Sequence, residues 1–544
     1  MDGRAAAEGV DASDRRHGSA ITWVVVAYSA FLTALVPFFL WVGRGDWFEH
    51  DDWDYLVNRK AGDLGDLLRP HNGHWETIPV FVYRALWSSF GLRYRPYQLV
   101  SIILSVVGAA LLLVIMLRAR TRPWIAIMAV TLLVLFADAQ LNTALRVTSI
   151  TFVGFAVPLG LVQLLLADHD GPRNWRDWLG LGAGFLALLC SSVAIAMLFV
   201  VGLAVFVKRG ARHALFQVLP PLIVFAVWFT TTGRTDTGVG SPARLRPLSQ
   251  AIRFAWLLVT GTFESLTRTH GVGVVLVGLL AIGLVLALRH AGPERRQQAV
   301  VPCAMAIGAV LFALETGLGR ADQLTEGAAP ARAGHYMDVV AYLALPALAF
   351  VAEELVRRWR LVALPLVAVF LMLILLNTRI LIHHGHARPQ RVSSLRNTIL
   401  LIPRLPLARE VPRSVRPYNG VASPVTVGWL LDSAREGKLP RRRHVTPPMR
   451  AVATLRISLV LARGPATPCR VLRTPAVRHL NRGATLRFRG RGIRVAYVNK
   501  GKAIGAVEYR VAPGVAWQIR NVGPPLTVRF QVAAGKRSPP RVCQ

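Results

Sequence analysis

Long apolar runs alternate with short basic segments up to Leu376, and this alternation restricts the fold more than any other feature. A helix needs roughly 20 apolar residues to cross a bilayer. Repeated runs approaching that length predict an α-helical polytopic membrane protein rather than a soluble enzyme. Only 17% of the 544 residues are charged, against about 25% in soluble domains. The eleven predicted spans are Ile21–Val42, Gln98–Leu117, Trp124–Ala137, Ser149–Ala167, Trp178–Cys190, Val193–Val207, Leu215–Thr231, Gly271–Leu288, Ala299–Leu314, Val339–Ala352 and Leu361–Leu376.

Basic residues in alternate loops predict the orientation of these spans. Cytoplasmic loops carry an excess of Lys and Arg, and groups such as Arg118, Arg120 and Arg122 follow every second span. Residues 1–20 are therefore expected in the cytoplasm, and the eleven spans of residues 21–376 place the C-terminal part outside. The count depends on reading 178–207 as two helices that break at Ser191-Ser192. Arg outnumbers Lys 58 to 6, which favours a GC-rich bacterial genome and hence the bacterial plasma membrane.

The C-terminal part has a different pattern. Residues 377–420 are typical of a juxtamembrane linker, and residues 421–544 predict an extracytoplasmic β-sandwich after a short helix at Val425–Gly437. A disulfide between Cys469 and Cys543 fits an oxidising compartment. The predicted strands are Thr454–Leu461, Ala484–Phe488, Ile493–Val498, Ala506–Val511, Ala516–Val522 and Leu526–Val532.

Charge in this C-terminal part suggests its partners. From Asn377 onward there are 32 Lys and Arg residues against four acidic ones. No zinc-finger, homeodomain or RNA-binding pattern accompanies this charge, so we expect no nucleic acid. A basic outer domain is suited to anionic lipids or an anionic envelope polymer.

Polar residues of the membrane part gather at the outer ends of the spans. The longest outer loop, 43–97, holds eight of the 29 acidic residues, and Asp51-Asp52 lies shortly after the first span. His71 and His74 follow in the same loop. Adjacent carboxylates can serve as acid and base, and histidines can bind phosphate, carry protons or ligate metal. This clustering favours a site at the outer face over a permeation path, which would place carboxylates near the midplane.

These features resemble the GT-C superfamily of polytopic membrane glycosyltransferases. The similar elements are Asp51-Asp52, the segment from Pro70 to His74, and the stretch from Arg332 to Tyr336 that leads into Leu345-Pro346. The chain departs from the protein O-mannosyltransferase type, which has Asp-Glu in place of the Asp pair. The resemblance covers residues 20–376. It implies a GT-C-like fold that transfers a sugar from a polyprenyl-phosphate donor to a cell-envelope acceptor.

The resemblance also implies roles for individual residues. Asp52, in preference to Asp51, is expected to deprotonate or orient the acceptor hydroxyl. Developing charge on the lipid phosphate needs cationic partners, and Arg is better suited to phosphate than Lys. No cofactor is required by the pattern, and a divalent metal is left open. The expected substrate- and phosphate-binding residues are His71, His74, Arg146, Arg332, Tyr336 and Arg379, with Arg234 as a further candidate.

Two other functions stay open from the sequence. The chain is also compatible with a transporter or flippase of a lipid-linked envelope precursor, or with a non-catalytic scaffold that binds the envelope. The sequence has no P-loop, no dinucleotide fingerprint and no nucleophile elbow. ATP-driven transport by this chain alone and serine hydrolysis are therefore not expected.

Overall fold

The computed structural model describes residues 3–235, 247–387, 389–440, 445–463, 476–489, 492–510, 516–532 and 541–543. The chain divides into two compact units. The membrane unit comprises residues 1–46, 60–82 and 95–387, and the sheet unit comprises residues 47–59, 83–94 and 388–544. The first outer loop, assigned from the sequence to the membrane domain, contributes to both units.

Helices build the membrane unit, because backbone groups in lipid have to be satisfied within a segment. One of them, α3, continues into the sheet unit. The helices are α1 (Gly3–Val42), α2 (Leu64–Leu68), α3 (Thr77–Phe90), α4 (Tyr94–Arg118), α5 (Pro123–Val134), α6 (Ala137–Gln140), α7 (Ala156–Ala167), α8 (Trp175–Leu188), α9 (Val193–Arg209), α10 (Ala211–Thr231), α11 (Leu248–Thr267), α12 (Val272–His290), α13 (Pro293–Arg320), α14 (Gly334–Arg358) and α15 (Ala363–Ala387).

The multi-pass membrane character predicted from the sequence is confirmed. Within the described residues, seven segments are long and apolar enough to cross a membrane. Each of the eleven predicted runs coincides with a helix over most of its length. The count of eleven crossings and the N-in, C-out orientation stay predictions. The seven segments are Thr22–Val42, Tyr94–Arg118, Ala211–Thr235, Val272–His290, Pro293–Glu326, Gly334–Arg358 and Arg360–Arg404.

The helix break expected at Ser191-Ser192 is present. Helix α8 ends at Leu188 and α9 begins at Val193. Helix α8 starts with a capping box, in which Asn174 and Asp177 satisfy each other's backbone N–H groups. The break therefore separates two properly formed helices, and it leaves Ser192 at the first turn of α9.

Helix α11 was not predicted, because residues 232–270 lie between two predicted spans and are expected from the sequence to form an outer loop. Its buried side chains include Phe254, Leu258 and Thr262, which lie on one face at a spacing of four residues. Polar residues such as Gln250 and Arg253 dilute the mean hydropathy of the segment. A search for continuous apolar runs misses an amphipathic helix of this kind.

Small residues allow α9 to approach both of its neighbours closely. A Cβ on Gly160 of α7 would lie 2.6 Å from the Cβ of Met197. A Cβ on Gly308 of α13 would lie 2.2 Å from Cγ2 of Val200. Small residues at such crossings are a general means of packing helices in membranes. The middle of α9 is therefore fixed between α7 and α13.

A second interhelical connection depends on Asn377 of α15. Its Oδ1 accepts from the Ala137 N–H at 3.2 Å and from Arg268 at 2.9 Å. Its Nδ2 donates to the carbonyls of Leu266 and Leu373, each at 2.9 Å. This buried amide ties the start of α6 and the end of α11 to the middle of α15.

The sheet unit contains two four-stranded antiparallel sheets, ordered β1-β6-β3-β8 and β2-β7-β4-β5. One hydrophobic core draws side chains from both sheets, including Leu486, Ile519, Val495 and Phe530. The unit is thus a sandwich, as predicted. Its elements are α16 (Pro389–Leu401), α17 (Val427–Arg435), α18 (Pro447–Ser458), β1 (Leu459–Arg463), β2 (Ala476–Leu480), β3 (Thr485–Arg489), β4 (Gly492–Asn499), β5 (Lys502–Arg510), β6 (Ala516–Asn521), β7 (Leu526–Val532) and β8 (Arg541–Cys543).

Some details of this C-terminal part differ from the prediction. Residues 377–420, described as a linker, continue α15 and then form α16. The strand predicted from Thr454 is wrong up to Ser458, since those residues end α18, whose first turn contains two prolines. Proline is favoured at the start of a helix. Cys469 lies outside the described residues, so its disulfide with Cys543 stays a prediction.

Candidate functional site

A tight turn from His71 to His74 presents first-loop side chains to the membrane unit. The two histidines exchange backbone hydrogen bonds of 3.0 and 2.9 Å. Asn72 and Gly73 between them have φ of 51° and 84°. Asn-Gly is the sequence preferred in two-residue turns that require positive φ at both positions. The turn thus fixes the direction in which His74 points.

The segment beside this turn is anchored on α10. Trp75 stacks on Trp228 with ring centroids 5.0 Å apart and an interplanar angle of 7°. Nε1 of Trp228 donates to the carbonyl of Leu68 at 2.8 Å. A stacked pair plus a satisfied indole N–H holds the loop at a defined place on the helix.

A cavity of about 300 Å³ lies between the turn and the ends of α9, α10, α13 and α14. All of these ends are predicted to face outward. Polar groups set in an apolar wall are typical of small-molecule sites. The polar lining consists of Asn72, His74, Ser192, Glu315, Thr316 and Arg320, and the aromatic lining of Phe152, Phe225, Phe229, Phe312 and Tyr336.

Three titratable or hydroxyl groups form a chain in this cavity. Nδ1 of His74 lies 2.7 Å from Oγ of Ser192, and the Glu315 carboxyl group, which lines the same cavity, interacts with the Ser192 side chain. A hydroxyl has one proton to donate and two lone pairs. That proton can point to His74 or to Glu315, so the chain has two proton arrangements and can pass a proton between its ends.

Arg320 supplies positive charge to the same cavity. It ends α13, and one of its guanidinium nitrogens donates to the carbonyl of Asn72 at 2.9 Å. This bond fixes the guanidinium against the turn that carries His74. A planar guanidinium is well suited to phosphate oxygens.

Aromatic rings form another part of the cavity wall. Phe152 contacts the rings of His74, His335 and Tyr336 with centroid distances of 5.4, 5.0 and 5.6 Å. The rings of His335 and Tyr336 are 4.2 Å apart. These edge-to-face contacts make a rigid surface on which a sugar ring or an apolar chain can rest.

Of the six expected substrate-binding residues, His74 and Tyr336 line the cavity. His71 belongs to the same turn, while Arg146, half-buried, is outside the lining. Arg332 forms an ion pair of 2.7 Å with Glu264. Arg379 is exposed on α15. The structure thus brings together one histidine and one tyrosine of the expected set.

The other candidate phosphate ligand is also placed elsewhere. Arg234 is exposed in a 3₁₀ turn, with its guanidinium 5.6 Å from the centre of the Phe229 ring.

The expected catalytic carboxylates belong to the sheet unit. Asp52 is buried, and its oxygens accept from the Tyr83 hydroxyl at 2.6 Å and the Glu49 backbone N–H at 3.0 Å. Asp51 is half-buried, and its carbonyl accepts from the Asp54 N–H at 2.9 Å. These two hydrogen bonds hold the turn that follows the first span. The Asp52 carboxylate therefore has a structural role in addition to any catalytic one.

Metal binding finds no support in the part of the chain that is described. No group of three or more His, Cys, Asp or Glu side chains there is arranged to hold an ion. His383 and His384 are exposed, whereas His386 packs on Trp41 with centroids 4.5 Å apart.

Sequence reasoning missed Arg320 and gave Ser192 and Glu315 no chemical role. Two sequence signals mark other parts of the same site. Asn72-Gly73 is the strongest short-range turn signal, and a serine pair at a helix break presents a hydroxyl near a helix end.

No protein-family model matches the sequence, and no curated protein or solved structure is significantly similar to the chain.

Proposed function

We propose that the chain is a membrane glycosyltransferase that moves a sugar from a polyprenyl-phosphate donor to a cell-envelope acceptor at the outer membrane face. The observation that carries this proposal is the chain of His74, Ser192 and Glu315 beside Arg320 in one cavity. Transfer of a sugar from a lipid phosphate needs a base, a cation for the departing phosphate and a surface for the sugar. The lining supplies all three.

Each group has a defined task in the reaction. The acceptor oxygen attacks the anomeric carbon, and the bond between that carbon and the phosphate oxygen breaks. The acceptor proton passes to the Glu315 carboxylate, from which Ser192 and His74 can carry it onward. The phosphate leaves with the bonding electron pair, and Arg320 stabilises the charge it gains. Phe152 and Tyr336 offer rings against which the sugar can stack.

Packing within the membrane unit favours an enzyme over a transporter. Helices α9 and α13 line the cavity at their outer ends and contact each other at Gly308 and Val200, near their middles. A substrate path between these helices would have to separate this contact. The structure therefore supports chemistry at one face rather than passage along these two helices.

The test is donor turnover by the purified full-length chain in liposomes. The measurement is release of polyprenyl phosphate from a panel of polyprenyl-phosphate sugars. Glu315→Gln should lower the rate by about 10²–10⁴-fold, which is the usual contribution of a general base. Glu326→Gln is the matched control, since Glu326 is exposed and outside the cavity lining.

Asp52→Asn tests the alternative base in parallel. A rate that falls with Asp52→Asn but not with Glu315→Gln would move the chemistry to the first-loop aspartates. Turnover that survives both Glu315→Gln and Arg320→Gln would remove this cavity from catalysis. Uptake of an intact lipid-linked precursor, without sugar release from any donor, would instead identify a transporter.

A further inference from the structure

A second cavity, of about 330 Å³, lies at the other ends of α9 and α13, two of the helices that line the first one. Helix α9 contributes Ser192 to the outer cavity and Lys208, in its last turn, to this one. Helix α13 contributes Arg320 to the outer cavity and Glu294, in its first turn, here. By the positive-inside rule this end faces the cytoplasm. Nothing in the proposed transfer reaction uses this inner cavity.

The polar lining of the inner cavity contains charges of both signs. Lys208 is paired with Asp168 at 2.7 Å. Arg118 donates to the carbonyl of Leu165 at 3.0 Å and also lines the cavity. On the α13 side, Glu294 accepts from Gln298 at 3.0 Å. The lining thus holds a guanidinium from the end of α4 and a carboxylate from the start of α13.

This arrangement selects a ligand with separated charges. An anionic group alone would meet the carboxylates of Asp168, Asp170 and Glu294, and a cation alone would meet Arg118 and Lys208. A zwitterion can place its anion on Arg118 and its cation on Glu294. The remaining lining includes Ile115 and Leu164, which can cover the start of an acyl chain where the helices leave the bilayer.

We infer that the inner cavity binds the head group of a phosphoethanolamine lipid. The phosphate lies on Arg118, and the primary ammonium donates hydrogen bonds to Glu294. Charge-assisted hydrogen bonds of both kinds are stronger than neutral ones. A choline head group carries the same charges but has no N–H to donate, so we expect it to bind more weakly. This inference does not depend on the proposed transferase activity.

The experiment is lipid retention by the full-length protein, measured by native mass spectrometry from mixed micelles. The probes are phosphatidylethanolamine, phosphatidylcholine and phosphatidylglycerol with identical acyl chains. The wild type should retain phosphatidylethanolamine best. Arg118→Gln and Glu294→Gln should each weaken that retention by about tenfold, the effect of losing one charged hydrogen bond. Glu294→Gln should also remove the preference over phosphatidylglycerol, because a repelling carboxylate is lost.

Arg289→Gln and Glu326→Gln are the matched controls, since both residues are exposed like Arg118 and Glu294 but lie outside this cavity. They should retain the lipid like the wild type. Equal retention of all three lipids by the wild type would overturn the inference. So would unchanged retention in Arg118→Gln and Glu294→Gln that fold normally. Soluble glycerophosphoethanolamine that binds as tightly as the lipid would overturn the assignment to a membrane lipid.

Discussion

Nδ1 of His74 and Oγ of Ser192 are 2.7 Å apart, although 118 residues separate them in the chain. This bond joins a turn of the first outer loop to the break between α8 and α9. It makes Ser192 the middle member of the chain that ends at Glu315. Removal of its hydroxyl would isolate the two titratable groups from each other.

Ser192→Ala should therefore lower donor turnover by about tenfold or more, because proton transfer by a positioned group contributes at least that much. Protein folding should be little affected, since the Ser192 side chain makes no capping hydrogen bond at the start of α9. The measurement is the pH–rate profile together with the thermal unfolding temperature in detergent. Ser191→Ala, at a buried position outside the cavity lining, is the control. Unchanged turnover and an unchanged profile in Ser192→Ala would contradict a relay.

Arg320→Lys should raise the KM for a polyprenyl-phosphate donor by about tenfold, because a lysine cannot form the two parallel bonds of a guanidinium. Arg320→Gln should be more severe, since it also removes the charge. Steady-state kinetics on both variants give the comparison. Arg379→Gln, on an exposed part of α15, should leave KM unchanged. A larger effect at Arg379 than at Arg320 would favour the ligand expected from the sequence.

Gly334→Ala should destabilise the membrane unit by about 3 kcal/mol, the upper end of the usual range for overpacking, because the site cannot relax. A Cβ at this position would lie 1.9 Å from the carbonyl oxygen of Asp138, and a backbone group cannot move aside easily. Gly319→Ala is the control, because open space surrounds its Cβ position. Thermal unfolding of both variants in the same detergent is the measurement. Equal unfolding temperatures would show that α14 can shift.

Asp52→Ala should destabilise the protein by about 1–3 kcal/mol, because it leaves the buried Tyr83 hydroxyl without this acceptor. Asp52→Asn retains an acceptor oxygen in the same place and should be milder. The comparison of unfolding temperatures separates the structural contribution of Asp52 from a catalytic one. An Asn variant that folds like the wild type and loses turnover would assign chemistry to Asp52. Equal destabilisation by both variants would mean that charge, rather than the hydrogen bond, matters.

Burial raises the pKa of Tyr509 from 10.0 to about 12, although the nearby Arg456 acts in the opposite direction. The neutral phenol is therefore favoured in the folded state. The buried neutral phenol contributes its full stability below pH 10, and this contribution is lost as the pH rises through 12. In folded protein, the difference in tyrosinate absorbance between the wild type and Tyr509→Phe should reach half of its maximum near pH 12. A midpoint at the same pH in folded protein and in denaturant would contradict this burial.

Much of the fold follows from local pattern. Apolar runs predict helices because a bilayer-length apolar segment has few other stable forms. Period-two alternation predicts most strands of the sheet unit, including Ile493–Val498 and Leu526–Val532. Helix α11 was missed because polar residues such as Gln250 and Arg253 interrupt its apolar run. The strand assigned to Thr454 failed because the same residues also fit the end of a helix that begins with two prolines.

The site was harder to predict, and the reason is geometric. Glu315 and Ser192 each follow from a local observation, a polar residue at a span end and a serine at a helix break. Their contact depends on how α9 and α13 pack, and Gly308 sets that packing through the space it leaves for Val200. Arg332 is a residue type that suits a phosphate ligand, but in the structure it forms an ion pair with Glu264. Sequence spacing carries no information on such long-range pairs.

The Asn377 amide has a consequence for chemical ageing of the protein. Its oxygen faces two donors and its nitrogen faces two carbonyl oxygens, so the orientation of the group admits no flip. Deamidation would keep the shape of the side chain but replace the nitrogen by an oxygen. That oxygen would then oppose the carbonyls of Leu266 and Leu373. A change of one atomic unit in mass at this position would therefore turn two attractions into two repulsions.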